Sequence, residues 1–542
     1  MDYDNVPQPA ASENEWTIMI FFAGDKQLSP SMTSQLKAIK DAGFQENTTV
    51  LIHFDANERG AGPATFEVNR VRKEEKSTII GDGKNPFVRN LKEDFLAAIP
   101  KSETAVNALR KFLALGLRDY AAKHYMIFLV GHGMIVGNDA FLPDEQPESA
   151  ITLKELGDTL SHFSGAAQLS DGIVELVGLH SCSMSAVEVA YQLKGSARYL
   201  MATEGVSFVS SWPYRQLLKK ILGVIDEAKT TGEEVDVDDL IHSIQRLSLH
   251  NSTDFMFSGL SADLSLCRLD PDIVDGLTGP LKRLTKALRY GLKDSRGLEL
   301  ILLAHLKSQS FWNENYTDLY DFCLCLEREC KAGDTVQDHM IAACKAVRAE
   351  LEESPDGKSL IVESDFFGPL YQFSHGLSVY FPWARPLEEN GIPKEDEILA
   401  RYKNYAFTEA LGSDSWLSFL QEYFAVTQRQ SREVEDGVEP AAARNGEGKV
   451  AVNTMFAVAG AAGGGVDSLD DDTQPRKPNP TLDDRKPSPP MGQDFCGCSV
   501  KNYPMHFSQS VRAAQDANPG AGDVDEQRKS SKLRKMQARV RV

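Results

Sequence analysis

The 542-residue sequence predicts an α/β fold in which a central, mostly parallel sheet is flanked by helices. Three observations lead there. Short apolar runs such as TVLIHFD and IVELVGLH are bounded by Gly or polar residues, as strands buried on both faces are. Segments with helical spacing of their apolar residues separate those runs. The two kinds alternate from residue 16 to about residue 205, the order that a parallel sheet with crossover helices requires.

In chain order, WTIMIFFAGD (16–25) and TVLIHFD (49–55) read as strands, with SMTSQLKAIKDAGF between them as an amphipathic crossover helix. ETAVNALRKFLALGLRDYAA (103–122) is a second helix, and it feeds the run HYMIFLVGHG, read as a strand that ends at His132. ITLKELGDTLSHF (151–163) is a helix, IVELVGLHSC a strand ending at Cys182, and SMSAVEVAYQLKG the helix behind it. ARYLMATEG (197–205) adds another strand. The pattern then turns helical through 234–250 and 272–352, with strand-like islands at MFSGLSADLS (256–265) and HGLSVYFP (375–382). WLSFLQEYFAV (416–426) is the last segment with an apolar face.

This division gives a polar N-terminus at 1–15, expected to be disordered, and a core at 16–225. A helix-rich extension at 226–427 supplies further strands that complete the core. The remainder, 428–542, shifts to Gly, Pro, Asp and charge and cannot bury enough apolar surface to offset its ordering entropy. It reads as a disordered tail that ends in the basic run RKSSKLRKMQARVRV.

A formal net charge of -20 argues against a nucleic-acid or anionic-membrane binder. MDYDNVPQPAASENEW has neither the basic nor the apolar region of a secretory signal, and no apolar run reaches the roughly 18 residues of a membrane helix. A cytoplasmic location is expected. Eight cysteines at irregular spacing form neither a disulfide framework nor repeated zinc-ligand pairs. Cys323, Cys325, Cys330 and Cys344 fall in helical patterns and are expected to be apolar thiols.

The chemistry is concentrated where two strands end. His132 lies between Gly131 and Gly133, and Cys182 follows about fifty residues later in His180-Ser181-Cys182-Ser183. Open α/β sheets place ligands past the carboxyl ends of their strands. A thiol needs a base to become the nucleophilic thiolate, so Cys182 and His132 are the candidate nucleophile and base. A helix expected to start within a residue or two of Cys182 would favour the thiolate through its macrodipole. The flanking glycines leave the amide of Gly133 open to a ligand, and with the amide of Cys182 it would form an oxyanion hole. His180 is an alternative base, because residues two apart on a strand share a face.

These blocks, with WTIMIFFAGDKQL, MATEGVSFVSSWPY, YTDLYDFC and HGLSVYFP followed by a Trp-containing helix, resemble the clostripain-like cysteine peptidases of the caspase-like clan. The resemblance covers residues 16 to about 424 and implies a caspase-like α/β sandwich. It also implies a His132–Cys182 dyad, an oxyanion hole of Gly133 and Cys182, and hydrolysis of protein or peptide substrates through an acyl-enzyme. Members of that family place acidic residues in a primary pocket for Arg or Lys, one of them two positions before the nucleophile. Here that position is His180, and the loop before Trp212 reads Val209-Ser210-Ser211. His180, Glu204, Ser210 and Trp212 are the candidate pocket residues. A basic side chain buried without a charge partner would be costly, so a neutral or acidic preference is open.

No cofactor follows from the motifs. Some relatives use calcium, for which Asp139, Asp144 and Glu145 are the available ligands, without EF-hand spacing. Relatives also mature by cleavage after a basic residue, yet Lys154, in a predicted helix, is the only Lys or Arg between 134 and 171. Asp318 and Asp321 are three apart on an expected helix, and the resemblance implies a structural role for them, capping a loop or supporting the site. Two functions are open at this stage. One is an endopeptidase acting on a restricted set of proteins, and the other is a catalytically silent caspase-like binding module.

Overall fold

Strands and helices follow from the pattern just read, and a computed structural model describes them for residues 14–435, apart from 25–27, 56–62, 71–94, 99–102, 134–139, 146–147, 210, 251–260, 312–314, 353–358 and 384–394. The first strands are β1 (Asn14–Ala23), β2 (Thr48–Asp55), β3 (Ala64–Glu67), β4 (Phe95–Ala98) and β5 (Ala122–Val130). A hairpin of β6 (Phe141–Glu145) and β7 (Glu148–Ile151) precedes β8 (Ile173–His180), β9 (Tyr199–Ala202) and β10 (Ala262–Arg268). β11 (Ser310–Phe311), β12 (Tyr316–Asp318), β13 (Ile361–Phe367) and β14 (Ser378–Tyr380) follow.

Nine of these form one sheet in the order β13-β10-β9-β8-β5-β1-β2-β3-β4. The five central strands are mutually parallel. Antiparallel strands close both edges, β10 and β13 beside β9 and β3 and β4 beside β2. The mostly parallel α/β sheet expected from the sequence is therefore present.

Helices cover both faces because the central strands are apolar on both. Trp16, Ile18, Ile20 and Phe22 of β1 pack in one core with α1 (Ser29–Lys40), α5 (Tyr214–Thr231) and α6 (Val237–His250). The alternate residues face α2 (Ala105–Asp119): Phe21 meets Phe112 at 5.8 Å, and Gly116 sits against Met19. On the same side α3 (Leu153–Gln168) places Phe163 edge-on to Tyr125. The start of α3 is written locally, since Thr152 and Glu155 form a reciprocal capping box. Lys154 is exposed on its first turn and paired with Asp158.

After the short α4 (Val187–Gln192), a second set of helices packs on one another, on α4 and on β12. These are α7 (Pro271–Gly276), α8 (Thr278–Gly291), α9 (Ser295–Lys307), α10 (Leu319–Glu329), α11 (Thr335–Leu351), α12 (Glu395–Tyr402), α13 (Ala406–Leu411) and α14 (Trp416–Glu435). Phe381 anchors α14 through Trp416, Phe419 and Tyr423. Cys323, Cys325 and Cys344 are buried thiols, and Cys330 is half-buried.

Three expectations shift. Residues 256–260 of the island MFSGLSADLS lie outside the described residues, and the strand there runs from Ala262. HGLSVYFP contributes β14 to a separate three-stranded sheet with β11 and β12. The edge strand beyond β10 is instead β13, IVESDFF, whose charged residues hid it. An edge strand needs one apolar face only, so polar residues are tolerated there. α14 runs on to Glu435, eight residues into the segment read as a disordered tail, and the rest of that segment, with Cys496 and Cys498, lies outside the described residues. No helix among the described residues is long and apolar enough to cross a membrane.

Candidate active site

β5 and β8 are adjacent parallel strands, and their register pairs Val130 with His180. Two residues further along each chain stand His132 and Cys182, at the same edge of the sheet. The approach continues past the strands. The Gly131 amide donates to the His180 carbonyl at 3.3 Å. A Cβ built on Gly133 would lie 2.6 Å from the Cys182 carbonyl oxygen and 2.7 Å from the Ser181 Cβ. Only glycine lets the backbone after His132 touch the backbone of Cys182 in this way. The Leu142 amide, donating to the His132 carbonyl at 2.9 Å, fixes that residue's main chain from the other side.

Cys182 lies in a turn, which corrects the expectation of a helix starting directly behind it. α4 begins only at Val187. Between them Ser183 adopts a left-handed backbone, φ 54°, a conformation that costs a non-glycine residue about 1 to 3 kcal/mol and persists where neighbours impose it. Here the neighbours are backbone groups after β9. The Ser183 amide donates to the Gly205 carbonyl at 2.9 Å, and the Ser185 amide to the Thr203 carbonyl at 2.8 Å. A helix dipole therefore does not act on the thiol. The Ser207 amide donates to the Cys182 sulfur at 3.3 Å instead, an interaction that strengthens as the sulfur gains negative charge. The thiol in turn points at the Ser207 carbonyl at 3.6 Å, and Cys182 is 0% exposed.

His180 is placed differently from His132. Its Nε2 donates to the Phe208 carbonyl at 2.7 Å, so its Nδ1 accepts from the Tyr214 hydroxyl at 3.1 Å. The ring stacks flat on Trp212, 4.5 Å between centroids and 5° between planes. Burial lowers its pKa to about 3, against the opposing pull of the Phe208 bond. Both ring nitrogens are bonded and burial keeps the imidazole neutral, so His180 braces the Phe208, Trp212 and Tyr214 side of the site. The extended run ends at His180, where the Ser181 amide bonds back to the Leu179 carbonyl, so the i, i+2 rule of a strand does not extend to Cys182.

The other candidate pocket residues are also interior. Trp212 is buried edge-on to Phe128. Glu204 is fully enclosed, its Oε2 accepting from the Gly376 amide at 2.8 Å. Its pKa is held well above the carboxylate range by burial and by the neighbouring Asp318 and Asp263. Glu204 was expected to line an open pocket; three acids in one enclosure disfavour its charge. Ser210 lies outside the described residues. Asp318 caps α10 by accepting from the Asp321 amide at 2.6 Å.

For calcium, Asp139 lies outside the described residues and Asp144 stands on β6, beside Glu145. Among the described residues no three His, Cys, Asp or Glu side chains are grouped to hold a metal ion, so no step below runs through calcium.

A strand-end cysteine and a Gly-flanked histidine brought level by parallel register describe a hydrolase site, and the comparisons bear on which kind. The model of the clostripain family matches residues 20–384. The chain belongs to the clostripain family. It is therefore a cysteine-type peptidase, as the resemblance implied. Among solved structures, an inactive zymogen C11 protease from Parabacteroides distasonis aligns with 74% of this chain and 99% of its own, at 15% identity and a TM-score of 0.48. A secreted C11 cysteine protease from Bacteroides thetaiotaomicron, in complex with an irreversible peptide inhibitor, aligns with 73% and 99% at 14% identity and a TM-score of 0.45. No match was found among curated proteins.

Sequence reasoning missed Ser207, Asp263 and Tyr371 as parts of this clostripain-family site. The Asp263 carboxylate accepts from the consecutive amides of Glu204 (2.6 Å) and Gly205 (3.0 Å), and the Val206 amide donates to the Tyr371 hydroxyl at 3.2 Å. A single Asp inside the apolar strand Ala262–Arg268 was the available signal.

Proposed function

We propose that the chain is an endopeptidase working through a Cys182–His132 dyad on a restricted set of proteins. The observation that carries it is the contact of Gly133 with the Cys182 backbone at the paired ends of β5 and β8. His132 takes the proton from the Cys182 sulfur, which attacks the scissile carbonyl. The amides of Gly133 and Cys182 receive the oxyanion, each donor of this kind accounting for about 2.7 to 4 kcal/mol of transition-state stabilisation. Collapse expels the amine, protonated by His132, and leaves a thioester. Water, deprotonated by the same imidazole, then releases the acid.

Restriction is supported by the Ser207 backbone, which engages the sulfur as both donor and acceptor. A substrate carbonyl has to take the place of those contacts. The primary preference is for a neutral or acidic residue. His180 occupies the position of the family's pocket acid and is neutral, and Glu204 is enclosed by other acids. An Arg or Lys side chain would meet no free carboxylate from either.

The test is cleavage of a diverse peptide library by wild type and Cys182→Ala, with cut sites read by mass spectrometry. Cuts made by wild type alone, after neutral or acidic residues, are expected. Absence of any Cys182-dependent cut would sink the endopeptidase reading, and cuts confined to Arg or Lys would sink the preference.

A further inference from the structure

Outside the dyad, three carboxyl groups from separate parts of the chain meet under the 203–207 segment. Asp263 comes from β10, Glu204 from the residues after β9, and Asp318 from the end of β12. All three are buried. Each is bound to backbone amides: Asp263 to those of Glu204 and Gly205, Glu204 to that of Gly376, and Asp318 to those of Asp321 and His375. Among the described residues, the other groups facing the cluster include the His375 imidazole, with Nδ1 3.4 Å from Asp318 Oδ1, the Cys267 thiol beside Glu204, and the Tyr371 hydroxyl bonded to the Val206 amide. No Lys or Arg is among these contacts, so no fixed positive charge offsets the three acids.

The cluster connects directly to the nucleophile. Gly205, held at its amide by Asp263, receives the Ser183 amide at its carbonyl, and Ser183 is the left-handed residue next to Cys182. Two residues past Gly205, the Ser207 amide meets the sulfur. The fit at Gly205 is tight. A Cβ there would lie 2.8 Å from Asp263 Oδ1 and 2.5 Å from the Tyr371 ring.

We infer that Asp263 is a positioning residue for Cys182: its carboxylate clamps the Glu204–Gly205 backbone, which in turn holds the strained Ser183 turn and aims the Ser207 amide at the sulfur. This rests on the peptidase reading for its catalytic consequence, though not for its geometry. The clamp uses both carboxyl oxygens as acceptors, Oδ2 for the Glu204 amide and Oδ1 for the Gly205 amide, and an Asn in its place would turn one acceptor into an NH2 donor facing an N–H. Burial, and the nearby Asp318, push the Asp263 carboxyl up to about 7 against the pull of its amide bonds.

Two measurements decide it. In Asp263→Asn, kcat on a cleaved peptide is expected to fall by about tenfold or more with KM little changed, because misaligned reacting groups lose rate before binding. Hydrogen exchange of a peptide spanning 203–207 should show less protection in Asp263→Asn than in wild type at the same pH, with peptides of β1 and β5 unchanged. Equal protection of the 203–207 peptide in the two proteins overturns the inference. The exchange measurement needs no substrate, so it still decides the role of Asp263 if no peptide is cleaved and the endopeptidase reading fails.

Discussion

The ends of β5 and β8 and the junction of β9 with β10 both converge on Cys182, yet they are built in opposite ways. At the first, two parallel neighbours deliver His132 and Cys182 through register alone, and glycine supplies the close approach. At the second, an antiparallel strand brings Asp263 against the backbone after β9, and side chain-to-backbone bonds carry the contact. The first holds the groups proposed to react, while the second holds the conformation they react in. Substitutions on the two sides should therefore fail differently, the first in chemistry with the fold intact and the second in alignment or stability.

The largest separation is expected between the two histidines. His132→Ala should lower kcat by about 10²- to 10⁴-fold, the usual span for a lost acid–base group, with little change in Tm. His180→Ala removes a stacked, fully bonded ring from beside Trp212 and leaves the Tyr214 hydroxyl unpaired. It should cost about 3 kcal/mol of stability and affect kcat less than His132→Ala does. Thermal melts with steady-state kinetics on both variants check this. If His180→Ala lost activity as deeply as His132→Ala while keeping its Tm, His180 would be the base and the assignment would reverse.

Next is Gly133→Ala. The new methyl meets the Cys182 carbonyl and Ser181 at distances no Cβ tolerates, so the His132 and Cys182 segments have to separate. A loss of about 10²-fold in kcat is expected, from a displaced oxyanion donor and a misaligned dyad. Unchanged kcat in a folded Gly133→Ala would show that the Gly133 amide and its contact play no part.

This contrast also explains what was legible. His132, Gly133 and Cys182 stood out because a strand end is a local pattern, visible in an apolar run and the residues just after it. That β1, β2, β5, β8 and β9 belong to one mostly parallel sheet followed from the alternation with helices, while their order across it did not. The turn at Ser183 did not, since backbone groups of Thr203 and Gly205 impose it and they are distant in sequence. The surroundings of His180 were hidden for the same reason: its partners Phe208, Trp212 and Tyr214 arrive from the segment leading into α5. Asp263 carried one charge in an apolar strand and no sign of the amides it binds.

The smallest effect expected lies in stability against pH, and it separates the carboxylate side from the buried imidazoles. His53, His180 and His305 are each lowered to about 3 by burial, so their contribution to stability is present above about pH 6.5 and lost as pH falls toward 3. Asp263, raised to about 7, and Glu204, raised well above its ordinary value, work the other way, because burial disfavours their charge. Their contribution is present at low pH and lost as pH rises through those folded values. Between about pH 4.5 and 6.5 the two sets oppose each other, while above that range the acids alone change. Tm should therefore decline on the alkaline side. Glu204→Gln keeps a carbonyl oxygen for the Gly376 amide and an N–H for Asp318 but has no proton to lose, so the decline from about pH 6.5 to 9 should shrink by a few degrees. Matching declines in wild type and Glu204→Gln would mean that the enclosure does not carry this charge, and the alkaline loss would have to come from elsewhere in the chain.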